Sequence, residues 1–218
     1  MDTSTNTDAH SDSDDSVAPE LTALMINCTL KPAPRPSSGD LLGGQVLAAL
    51  AGHDVSSRSL RAVDHRILPG VEADMGEGDA WPAIRRAVLD ADIIVLVTPT
   101  WLGQHSSVAQ RVLERLDAEL GATDDAGRPT LFDKIAIPVV VGNEDGAHHI
   151  TAILAQALGD VGFTVPAQAS VYWNGEAMQK TDYRDLDSIP EPVAAATATA
   201  AANAAHLARL LRAEPYPV

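Results

Sequence analysis

The sequence predicts an α/β domain built on a parallel β-sheet with helices on both faces. Short apolar runs alternate with amphipathic stretches at helical spacing along most of the chain. The runs are continuous and rich in β-branched residues, as strands covered on both faces are. Polar loops carrying glycine or serine then follow three of these runs and lead into helices.

With 218 residues, 45% hydrophobic and 21% charged, the chain can bury one core of ordinary size and is of neither the disordered nor the membrane class. It is acidic, −15 from 15 Lys+Arg and 30 Asp+Glu, which argues against a nucleic-acid partner held by nonspecific charge. A local cradle of backbone N–H groups can still hold a phosphorylated small molecule. Residues 1–20 carry six of the acids, no Lys or Arg and almost no large apolar residue. They are expected to be a disordered tail before a domain at 21–214. The tail lacks the basic start and apolar stretch of a secretory signal, and no run reaches the length of a bilayer span. A cytoplasmic protein with no membrane partner is expected. Cys28, the single cysteine, excludes an intramolecular disulfide and a multi-cysteine metal site.

The first strand is expected over Leu21–Cys28, before a Pro-rich loop. Ser37 or Ser38 caps a helix whose stripe is Leu42, Val46, Ala49 and Leu50. Val55–Val63 reads as a weaker strand, and 66–80 as a loop with three glycines and several acids. Pro82 suits the first turn of a helix running to Leu89. Asp92–Thr98 is the clearest strand, stopped by Pro99. An amphipathic helix runs from Ser106 and Ser107 to about Leu120. Further strands are expected at Ile135–Val141, interrupted by Pro138, and at Thr164–Val171, with a helix between them from His148 to Val161. Ala-rich Pro192–Arg212 forms the terminal helix. Five strands in this alternation give right-handed crossovers, and ligands in such sheets sit beyond the strand C-termini where the strand order reverses.

That rule directs attention to three loops. Thr29, Lys31, Arg35, Ser37 and Ser38 lie between a strand and a helix N-terminus, where free N–H groups and the helix dipole favour a phosphate. An ordinary capped helix after a stiff loop would look the same, and the segment is neither a P-loop nor a GxGxxG fingerprint. Pro99, Thr100, Trp101, Leu102 and Gly103 place an aromatic at the crevice mouth, with Gly103 allowing backbone to approach a flat ring. Trp101 as a simple core cap is the plainer reading. Gly142, Asn143, Glu144, Asp145 and Gly146 suit the presentation of backbone N–H groups to a flat heteroaromatic ligand.

Other features are weaker. His148 and His149 are adjacent and do not share a helix face, which disfavours a metal site. Asp64, His65 and the acids of 72–79 could hold a cation, but an acidic surface loop is the default. Tyr172–Gly175 could line the crevice or a subunit interface. No GxSxG nucleophile turn is present, and Cys28 reads as an inert core residue.

On these loops the chain resembles the flavodoxin-like NADPH-dependent FMN reductases over about residues 20 to 175. The resemblance is most specific in Pro99-Thr100-Trp101-Leu102-Gly103, which matches the family's Pro-x-aromatic-x-Gly/Asn loop. The Gly142–Gly146 turn matches the loop that edges the flavin ring. Thr29–Ser38 stands where the family binds the FMN phosphate, but is longer and richer in proline than the usual Ser-x-Arg-x-x-Ser. The resemblance implies a flavodoxin-like three-layer sandwich with a five-stranded parallel sheet in the order 2-1-3-4-5, and FMN as cofactor. It further implies NAD(P)H and a small electron acceptor as partners, a homodimer or homotetramer, and the three loops above as the cofactor-binding residues. The implied activity is an NAD(P)H oxidoreductase acting on a flavin, quinone or related acceptor. Hydride transfer by a flavin requires no side-chain acid or base, so no catalytic residue is assigned. An electron-transfer flavoprotein without its own nicotinamide site is the alternative, and a flavodoxin-like module that has lost flavin stays open because fold alone does not fix function.

Overall fold

In the computed structural model residues 20–217 are described; apart from Glu20, the expected acidic tail lies outside them. The elements in chain order are β1 (Leu21–Asn27), α1 (Ser38–Ala51), β2 (Val55–Arg61), α2 (Trp81–Asp90), β3 (Ile93–Trp101), β4 (Gln104–His105), α3 (Ser107–Leu116), β5 (Ile135–Gly142), α4 (Ala147–Asp160), β6 (Val171–Asn174) and α5 (Glu191–Ala213). Five strands pair in parallel in the order β2-β1-β3-β5-β6, and β4 is a short antiparallel addition to β3. In sequence order of the parallel strands this is the flavodoxin-like arrangement 2-1-3-4-5.

The period-2 alternation of the central strands sorts the core into two layers. Met25, Val95, Ile137 and Val139 face α1 and α5, while Ile26, Ile94, Leu96 and Val140 face α2, α3 and α4. Ala200, Ala201, Ala204 and Ala205 on one face of α5 are wholly buried, so that helix lies close against the sheet and α1. Strand β2 is an edge: only Val55 is buried, and serines and arginines occupy most of the rest.

Two prolines sit inside strands, contrary to the expectation that Pro99 ends one and Pro138 interrupts another. In β3, Val97 accepts from Cys28 N on the β1 side. Pro99 has the same parity, but β1 pairing ends at Asn27↔Val97, so no ladder bond is lost. In β5, Ala136 donates to Thr164 O on the β6 side. Pro138 therefore faces the gap before β6 begins at Val139↔Val171.

The last strand also falls later than expected. Only Thr164 of the segment Thr164–Val171 bridges to β5 before the chain turns through Pro166 and Gln168 at φ 56; the strand proper begins at Val171. The expected helix to Leu120 is α-helical to Leu116 and continues as a 3-10 turn over Asp117–Gly121. Among the described residues no helix is long and apolar enough to cross a membrane.

Candidate functional site

A cleft opens at the C-terminal ends of β1, β3, β5 and β6. Thr29, Lys31, Ser37 and Ser38 enter it from the first loop, Pro99, Thr100 and Trp101 from β3, and Gly142 and Asn143 from β5. Arg35, Leu102, Gly103, Glu144, Asp145 and Gly146 do not line it. Arg35 points to solvent in a turn closed by its N–H to Pro32 O.

The first loop is held from beneath. Arg61, at the end of β2, donates to Lys31 O at 3.0 Å and binds both carboxylate oxygens of Asp40. Buried Asn27 donates to Asp40 at 2.6 Å and accepts from Thr29 N at 3.0 Å. Asp40 stands in the first turn of α1, where it would otherwise repel an anion; Arg61 offsets it. Ser37 caps α1 and accepts from Gly39 N, while Ser37 O accepts from the N–H groups of Asp40 and Leu41. The Ser38 N–H has no such partner among the described residues, as expected of a first-turn donor.

β3 continues past Pro99 and folds back on β4, with Thr100 opposite His105 and Trp101 opposite Gln104. The two linking residues, Leu102 and Gly103, have φ 52 and 71, the geometry of a two-residue hairpin turn. Trp101 is left 51% exposed at the cleft, so it is not a core cap. Thr100 is buried, and its hydroxyl has no partner among the described residues. Gly142 passes so close that a Cβ there would lie 2.7 Å from Thr100 Cβ.

Behind the cleft, Trp173 and Tyr183 pack ring to ring at 5.5 Å. Trp173 belongs to the segment that the sequence left between crevice and interface. Tyr183 and its neighbour Asp182, which also line the cleft, had no signal in the sequence, because they lie in an irregular connection far from any strand end. Cys28 is fully buried and burial pushes its thiol up, in keeping with an inert core residue. Asp79 is occupied by Arg115 and the backbone of Leu68, Met75 and Trp81. Among the described residues no group of three or more His, Cys, Asp or Glu is placed to hold a metal ion.

A family model for NADPH-dependent FMN reductase matches residues 21–177, and the chain belongs to that family. It is 30% identical over 206 residues to 8-demethyl-8-aminoriboflavin-5'-phosphate synthase of Streptomyces davaonensis, covering 90% of this chain and 80% of that protein. The crystal structure of RosB with bound 8-demethyl-8-formylriboflavin-5'-phosphate superposes with TM-score 0.81 at 30% identity, over 90% of this chain and 82% of the other. A divalent metal cation transporter, MntH of Mycobacterium bovis, is 41% identical over 172 residues; the match spans 77% of this chain but only 25% of that relative. FMN is the flavin of the family, and the cleft fits such a group. It offers an unpartnered first-turn N–H beside a lysine, a half-exposed indole and an orphaned hydroxyl, next to a glycine where a side chain would not fit.

Proposed function

We propose that the cleft holds FMN with its phosphate at the N-terminus of α1 and its ring against Trp101 and the Gly142–Asn143 edge, and that the protein is an NAD(P)H oxidoreductase. The observation that carries this reading is the convergence of three strand-end loops and one helix N-terminus on a single cleft. Lys31 and the Ser38 N–H would meet the phosphate, while Arg61 keeps Asp40 from opposing it. Thr100 would give its free hydroxyl to the ligand. Trp101 would cover a ring face and keep water from it. The bound FMN would supply hydride and electron transfer between a nicotinamide and a second substrate, a flavin, quinone or related acceptor. The protein would act as a homodimer or homotetramer.

The test is purification followed by FMN titration and steady-state assays with NADPH or NADH and a quinone. The reading expects FMN binding and oxidation of a nicotinamide. A colourless protein that ignores FMN overturns it. Binding without nicotinamide oxidation turns it into an electron carrier. A second reading is favoured by the 30% identity and TM-score of 0.81 to the flavin-modifying synthase: FMN is then substrate rather than cofactor. The mass of the flavin released after incubation separates the two, since a cofactor leaves unchanged.

A further inference from the structure

The loops after β3 and β5 meet along a seam beside the cleft. Leu102 N–H donates to Glu144 Oε1 at 3.0 Å, and His149 Nε2 lies 3.2 Å from Gln104 Oε1. Gly146 presses on Gly103, so that a Cβ on Gly146 would lie 2.8 Å from Gly103 Cα. Leu102 has φ 52, in the left-handed region that residues carrying a Cβ resist. The β3–β4 pairing closes the turn, and a further partner offsets the cost of a leucine at that φ. Glu144 is that partner, at the N–H of the strained residue itself. The residue before that turn is Trp101, the aromatic at the cleft.

We infer that Glu144 is a positioning residue: by holding the Leu102–Gly103 turn it sets the Trp101 ring against the cleft, and it acts on the flavin only through Trp101. This rests on the reading of the cleft as an FMN site and replaces the expectation that Glu144 touches the cofactor. What the turn requires is an acceptor oxygen within reach of Leu102 N–H, not a negative charge. Glutamine keeps that oxygen and alanine removes it. Without it the hairpin samples other conformers, and ligand affinity falls by the fraction of molecules that keep Trp101 in place.

The experiment compares wild type, Glu144→Ala and Glu144→Gln, each with and without Trp101→Phe so that the emission of Trp101 is separated from that of Trp81 and Trp173. Acrylamide quenching is measured on the flavin-free proteins and FMN affinity by titration. Expected are a change in Trp101 quenching and about fivefold weaker FMN binding in Glu144→Ala, both restored in Glu144→Gln. Wild-type quenching and affinity in Glu144→Ala would overturn the inference. So would a Glu144→Gln variant as impaired as Glu144→Ala, because the charge would then act directly. If wild type itself ignored FMN, the flavin reading would fall, and the quenching comparison would still decide whether Glu144 positions Trp101.

Discussion

The phenol of Tyr183 donates to Gln45 Oε1 at 2.6 Å, joining residues 138 apart in sequence. This bond ties the connection after β6, from which Tyr183 lines the cleft, to α1. Burial pushes the Tyr183 pKa up, so the phenol remains a donor at neutral pH.

Tyr183→Phe keeps the ring against Trp173 and removes only this bond. The expected loss is about 1 kcal/mol, which in a domain of this size lowers Tm by roughly 2–4 °C. Thermal unfolding checks it. An unchanged Tm would mean that water replaces the phenol at no cost.

Two glycines should respond with opposite signs. An alanine at Gly142 would bring its Cβ to 2.7 Å from Thr100 Cβ and 3.0 Å from Oγ1, whereas Gly44, inside α1, has nothing within 4 Å. Gly142→Ala should destabilise by about 1–3 kcal/mol and weaken FMN binding by crowding the cleft. Gly44→Ala should stabilise by roughly 0.5–1 kcal/mol through helix propensity. Denaturant midpoints for both variants, with an FMN titration of the first, provide the test; equal signs would contradict the packing described here.

Asp79 and Arg115 form an ion pair at 2.8 Å with both side chains fully buried. Arg115 also donates to Leu68 O and Glu72 O, pinning the 66–80 loop to α3. Burial by itself pushes the Asp79 carboxyl up. Arg115 and the N–H groups of Met75, Trp81 and Leu68 outweigh it and hold the carboxyl well below the usual carboxylate range. Since the folded pKa lies below the unfolded one, the carboxylate's contribution is fully present above about pH 4 and is lost as pH falls toward the folded value. Asp79→Asn leaves a buried guanidinium unpaired and should cost about 3 kcal/mol at pH 7. The Tm gap between wild type and variant should narrow between pH 5 and pH 2; a gap constant with pH would show that the charge does not contribute.

Much of the fold was legible because burial on both faces leaves a continuous apolar signature. Ile93–Val97 and Ile135–Val141 are such runs. The prolines at 99 and 138 lie within strands although proline is by itself a strand-breaking residue. Whether a strand tolerates proline depends on which neighbour its missing N–H would face, and that neighbour lies tens of residues away. The last strand falls later because the chain turns after Val165: Pro166 marks that turn in the sequence, while the positive φ of Gln168 carries no glycine or asparagine to signal it.

The layered α/β order, the three strand-end loops and the family resemblance of Pro99–Gly103 are all written in the chain. These depend on periodicity and on residue types within short windows. Tertiary structure alone decided how the loop residues divide: Thr100 and Trp101 at the cleft, Leu102 and Gly103 in a seam with Glu144 and Gly146. It also decided that Tyr183 reaches Gln45. The physical reason is the same in both cases. A side chain's role at a strand end is set by the elements packed beside it, and proximity between distant segments carries no local pattern in the chain.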